Sequence, residues 1–209
     1  MTTRLMWLRE CWSDIFDTAL EALIPVFITA LVYFLIRRGC QKKRLGSEFK
    51  PRRKAAFWNE LIRLLLVCEI AAVICIAVFP DGFWRYFGEI PFFSANSPRD
   101  WQYVPYIAAW IQRGRIDAGN FYDLVYNIVF FIPLGLFLPF VMKKPALWKT
   151  VLIGFIFTVL VETSQMLTNH CSDINDVIDN TLGAFVGHLL YLPIKGLFPG
   201  FTEKCRERV

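Results

Sequence analysis

The chain has 209 residues, 56% of them hydrophobic and 20% charged, with a formal net charge of +5 and a mean hydropathy of +0.42. Soluble domains carry roughly 45–50% apolar and about 25% charged residues, so the composition excludes an ordinary water-soluble domain and equally a disordered or collagen-like chain. Several apolar runs reach the roughly 20 residues that cross about 30 Å of hydrocarbon as a helix, whereas barrel strands need only about 10 alternating residues. The expected fold is therefore an all-α integral membrane protein, with residues 1–209 forming a single membrane domain of five transmembrane helices.

In chain order the spans are expected at residues 18–36, 61–79, 124–142, 151–168 and 177–198. The first sixteen residues show neither a basic region leading into a cleavable core nor a small-residue cleavage site, so the first span reads as a retained anchor. Between the first two spans lie Arg37, Arg38, Lys42, Lys43, Arg44, Lys50, Arg52, Arg53 and Lys54 against the single acid Glu48. By the positive-inside rule this loop is cytoplasmic, which puts the N-terminus outside and the C-terminus inside. Lys143, Lys144 and Lys149, and then Lys195, Lys204, Arg206 and Arg208, fall on the same inner side. The net charge is thus a topology signal and a handle on anionic lipid at the basic loop; no recognition motif accompanies it that would suggest nucleic acid.

The connection from residue 80 to 123 is expected outside and is rich in aromatics, including Trp84, Phe92, Phe93, Trp101, Tyr103, Tyr106 and Trp110. Residues 101–111 are expected to lie flat at the outer leaflet, where amphipathic rings prefer the headgroup level. This is either a positioning belt or a platform for a lipid or lipid-linked ligand. The six cysteines show no CxxC and no zinc spacing; Cys11 and Cys171 are the one pair expected on the outer side.

The polar residues of the last three spans all fall at the outer end. They are Asn127 on the third span, Glu162 and Gln165 on the fourth, and Asp173, Asp176 and Asn180 around the start of the fifth, with Asn175 and Asp179 among them. Asp176, Asn180, Gly183 and Gly187 form one helical stripe. Its glycines would admit a close neighbour, for which Pro133 and Gly135 of the third span are suited. Such groups face a cavity or a partner, so an outward polar pocket is expected. The plainer alternative is that Asp173 to Asp176 cap the fifth helix and that Glu162 is neutralised by proton uptake or by Gln165. His188, off the stripe, reads as a packing residue.

Three blocks, NIVFFIPLG at 127–135, ETSQ at 162–165 and DINDVIDNTLG at 173–183, together with IPF at 90–92, resemble the VanZ-like membrane proteins of bacteria over residues 89–191. His170 and Asn175 depart from the family pattern, which often has Arg and Asp there. The resemblance implies a multi-pass protein of the bacterial cytoplasmic membrane, a role in the cell envelope and resistance to lipid-tailed glycopeptides such as teicoplanin. It implies no known enzyme and no cofactor or metal. The ligand candidates are Asn127, Glu162, Gln165, Asp173, Asp176 and Asn180. Two other functions remain open on the residues alone. One is an intramembrane enzyme on a lipid-linked substrate, with Glu162 as base and Asp173 and Asp176 on a divalent cation; the other is a small transporter.

Overall fold

A computed structural model describes residues 20, 22–40, 53–78, 101–115, 118–166 and 172–206. Five helices are long and apolar enough to cross a membrane. They are α1 (Ala22–Cys40), α2 (Arg53–Val73, whose span Phe57–Val78 ends in a π-helical turn, Ile74–Val78), α4 (Ala118–Val141), α5 (Leu147–Gln165) and α6 (Ile174–Leu197). A short helix α3 (Tyr106–Arg113) precedes α4, and another, α7 (Pro199–Arg206), follows α6. Cys40, Cys68, Cys75 and Cys205 are free thiols, while Cys11, Cys171 and His170 lie outside the described residues, as does the aromatic connection up to residue 100.

All five expected spans are helical, with shifted ends. The third begins at Ala118 rather than 124, because Asn120 and Asp123 lower the hydropathy of a turn that is nonetheless helical. Where 101–111 was expected as one flat segment, the chain divides. Trp101 and Gln102 form a two-residue parallel bridge with Ser172 and Asp173, and the helix starts only at Tyr106, after Pro105. Gly114 ends α3 in the left-handed conformation (φ 63°), which glycine adopts without steric cost.

The core is built on α6, which packs most extensively against α4 and next against α5. A Cβ added to Gly183 would strike Ile128 and Phe131; one at Gly187 would strike the backbones of Ile132, Gly135 and Leu136; one at Gly135 would strike the backbone of Ala184. On the neighbouring face a Cβ at Gly154 of α5 would stand 2.6 Å from the Ala184 side chain. Small residues here replace side-chain contact with backbone contact, a large source of packing energy where lipid is as apolar as leucine. Pro133 lies within this segment of α4, and its missing N–H frees a carbonyl one turn earlier without ending the helix.

At the opposite end from the polar cluster, α7 closes the bundle. The Asn59 amide donates to the Cys205 carbonyl, Arg206 donates to the Tyr191 hydroxyl, and Phe201 meets Trp58 and Phe140 edge-on at 5.2 and 5.7 Å. His188 is buried with its Nδ1 2.8 Å from the Thr150 hydroxyl, a contact between α6 and α5. By contrast α1 attaches loosely, with only 6% of its span buried. Its firm contact is Glu60, which accepts from Tyr33 at 3.1 Å and pairs with Arg37 at 2.7 Å.

The seam makes a differential prediction. Gly187→Ala should lower stability by about 2 kcal/mol or more through overpacking, and Gly183→Leu by more. Gly196→Ala, on the same helix but with nothing within 4 Å of the new methyl, should be neutral or stabilising by up to about 1 kcal/mol. Thermal unfolding in detergent measures all three, and equal effects at 187 and 196 would show that the backbones are not in contact.

Candidate functional site

The polar residues of three spans meet at one end of the bundle because α4 and α6 approach so closely there. Asn127 donates to Asp176 Oδ1 at 2.6 Å across the α4–α6 seam. One turn further along α6, Asn180 turns to the other neighbour and donates to Thr158 of α5 at 2.9 Å. The stripe predicted for α6 thus divides, with Asp176, Gly183 and Gly187 facing α4 and Asn180 facing α5. Asn180 is 5% exposed, and its Oδ1 is buried with no hydrogen-bond partner among the described residues. An unmet carbonyl of this kind costs about 1–3 kcal/mol.

The helix start is laced to the end of α5. Asp173 is the N-cap of α6, its carboxylate accepting from the Asn175 backbone N–H at 2.8 Å and the Asn175 side-chain amide at 2.7 Å. Behind the cap, Glu162 is 1% exposed and accepts from the Asp173 N–H at 3.1 Å. Ser172 donates to the Glu162 carbonyl at 2.6 Å. A carboxylate and an N-terminal turn suit one another, since the first amides of a helix have no partner within it. Both the capping role and the gathering of acids are therefore present at Asp173.

Gln165 goes elsewhere. Its amide donates to the Ala77 carbonyl at 2.9 Å, in the π-helical turn that ends α2. Glu162 and Gln165, three apart, serve different neighbours: one the start of α6, the other a backbone carbonyl of the π-helical turn of α2.

Four contributors lie outside the set of ligand candidates: Asn175, Asp179 and Tyr106, each visible in the sequence without a role, and Thr158. Asn175 uses both ends of its amide: the nitrogen donates to Asp173, and Oδ1 accepts from the Tyr106 backbone N–H at 2.9 Å. A carboxylate could not make the first bond while ionised. Asp179, off the stripe, accepts from the Tyr106 hydroxyl. Tyr106 itself is buried and packs against Trp110 with ring centres 4.8 Å apart and planes tilted by 33°, so α3 is fastened over the start of α6 by its first residue. Thr158 carried no signal beyond its position four residues before Glu162.

The electrostatics are one-signed. The charges acting on Asp176 come from Asp173, Asp179 and Asp123, and those acting on Glu162 from Asp176 and Asp173. No Lys or Arg among the described residues offsets them at these two sites. Such a cluster disfavours anions and suits cations or ligands rich in N–H and O–H donors. Among the described residues no three acidic, histidine or cysteine side chains converge as a metal-binding set. Outside the spans, burial and then the bond to Asp179 push the Tyr106 phenol above its ordinary range.

The sequence profile of the VanZ/LLP1 family matches residues 69–198, more than half of the chain. Protein VanZ of Enterococcus faecium is 34% identical over 75 residues, covering 35% of this chain and 47% of that protein. The match thus spans about half the length of that relative. No solved structure matches the chain.

The Tyr106 contact yields a pH prediction. A phenol whose folded value is raised contributes stability that is complete below about pH 10, the free tyrosine value, and is lost as pH rises through the folded value. In alkaline absorbance titration, wild type minus Tyr106→Phe should show no phenolate step near pH 10. A full step there would mean that Tyr106 does not hold Asp179.

Proposed function

The chain belongs to the VanZ/LLP1 family, and on that footing we propose that it is a non-enzymatic envelope factor that lowers susceptibility to lipid-tailed glycopeptide antibiotics of the teicoplanin type. In this reading the polar end faces outward and engages a lipid-anchored ligand or alters the outer surface of the membrane. The observation that carries the reading is the gathering of Asn127, Glu162, Asp173, Asp176 and Asn180 from three spans at one end, beside exposed Tyr103 and Val104 and the exposed Ile107 and Ile111 of the short helix α3. Buried polar groups at membrane depth are costly, and a set that includes an unpartnered amide oxygen exceeds what helix packing requires. The acid-rich character suits a ligand that brings donors, such as the amides and hydroxyls of a glycopeptide or a peptide-bearing precursor.

Orientation is part of the proposal. The basic loop between α1 and α2 and the Lys143–Lys144 turn lie inside, and positions 96 and 169 outside. Single cysteines at 41, 96, 144 and 169, in a background lacking native thiols, should react with an impermeant reagent from outside only at 96 and 169. Reaction at 41 but not at 96 would invert the topology.

The functional test neutralises charge without changing size. Glu162→Gln and Asp176→Asn should each abolish resistance to teicoplanin at matched expression, with the replacement of Lys42, Lys43 and Arg44 by Gln having little effect. Full resistance in both neutralised variants would remove the polar end from the mechanism. Equal loss of resistance toward glycopeptides without a lipid tail would make precursor chemistry, not the lipid anchor, the target.

A further inference from the structure

Away from the polar cluster, the interface between α1 and α2 is hollow. Two cavities lie one above the other along the same pair of antiparallel helices. The first, about 270 Å³, is walled by Phe34, Phe57, Leu61 and Leu64 at the end next to the basic loop. The second, about 400 Å³, is walled by Pro25, Ile28, Val67, Ile70, Ala71 and Ile74. From Pro25 to Arg38 they extend over roughly 20 Å at about 1.5 Å per residue, somewhat more than the roughly 15 Å of one leaflet's hydrocarbon. Voids of this size with apolar walls forfeit dispersion contacts and offer water few polar partners, whereas an acyl chain fills both conditions.

The charge at the loop end selects the headgroup. Arg37 and Glu60 both line the first cavity, but they neutralise one another through their 2.7 Å ion pair. Arg38 lines the same cavity, is exposed, and forms no ion pair among the described residues; its guanidinium rests 4.1 Å from the centre of the Phe34 ring. Among the residues that line this cavity the net charge is therefore one guanidinium, whose planar donor fork matches a phosphate. The neighbouring segment adds Lys42, Lys43 and Arg44 in sequence.

We infer that the α1–α2 groove is a binding site for an anionic phospholipid, with one acyl chain between the helices and the phosphate on Arg38. Because α1 is otherwise so little buried, the lipid completes the contact between α1 and the rest of the bundle. This site is separate from the polar end and does not depend on the resistance reading.

Native mass spectrometry of the full chain, mixed in detergent with equimolar phosphatidylglycerol and phosphatidylcholine, tests it. Wild type should retain phosphatidylglycerol about five-fold over phosphatidylcholine, the factor expected for one basic side chain at a lipid surface. Arg38→Gln, at an exposed position, should fold normally and lose the preference. Ala71→Phe, which fills the larger cavity, should reduce retention of both lipids, and added phosphatidylglycerol should raise the unfolding temperature of wild type but not of this variant. Equal retention of the two lipids by wild type, or an undiminished preference in Arg38→Gln, would overturn the assignment. So would a preference that disappears only when Lys42, Lys43 and Arg44 are replaced, since the loop alone would then hold the lipid.

Discussion

The backbone contact between α4 and α6 is the constraint from which the rest of the structure follows. Gly135, Gly183 and Gly187 let the two helices touch without intervening side chains. Only at that separation does a side chain as short as Asn127 reach Asp176. The same approach leaves α5 on the adjoining face of α6, where Gly154 meets Ala184 and Thr158 meets Asn180. Inside a bilayer no water compensates for a missed bond, so the geometry of the apolar seam decides whether the polar end can exist at all.

Much of this was legible in the residues, and the reasons differ by element. Five spans follow from apolar length alone, and the α4-facing Asp176, Gly183 and Gly187 follow from their period, although Asn180, expected on the same stripe, turns to α5 instead. The true start of α4 was hidden because a polar helical turn resembles a loop in hydropathy. The destination of Gln165 could not be read, since it depends on tertiary packing that brings it to the Ala77 carbonyl, 88 residues away in sequence. Tyr106 was visible only as one aromatic among many. Its pairing with Asp179 joins residues far apart in sequence, and no local pattern encodes that.

Asn175 is instructive in another way. Its departure from the family pattern was apparent in the sequence, but its use was not. With an amide there, one side chain both supports the Asp173 cap and receives the first backbone N–H of α3. Local capping chemistry, the docking of a short amphipathic helix and the composition of the acidic cluster are thereby tied to a single position. The two ends of the bundle are also built differently. One joins buried polar groups through backbone proximity, while the other uses aromatic edges and α7, with Tyr33 and Arg37 of α1 held by Glu60.

On the proposed function, the hydrogen-bonded pair at the α4–α6 seam acts as a unit in resistance. Exchanging its members tests this most directly, because Asn127→Asp combined with Asp176→Asn keeps the charge, the volume and the bond while reversing their order. Teicoplanin susceptibility should rise in cells carrying either single variant and return toward the wild-type level in cells carrying both, at matched membrane expression. Wild-type resistance in both single variants, or a double variant as sensitive as the singles despite equal thermal stability, would contradict the account.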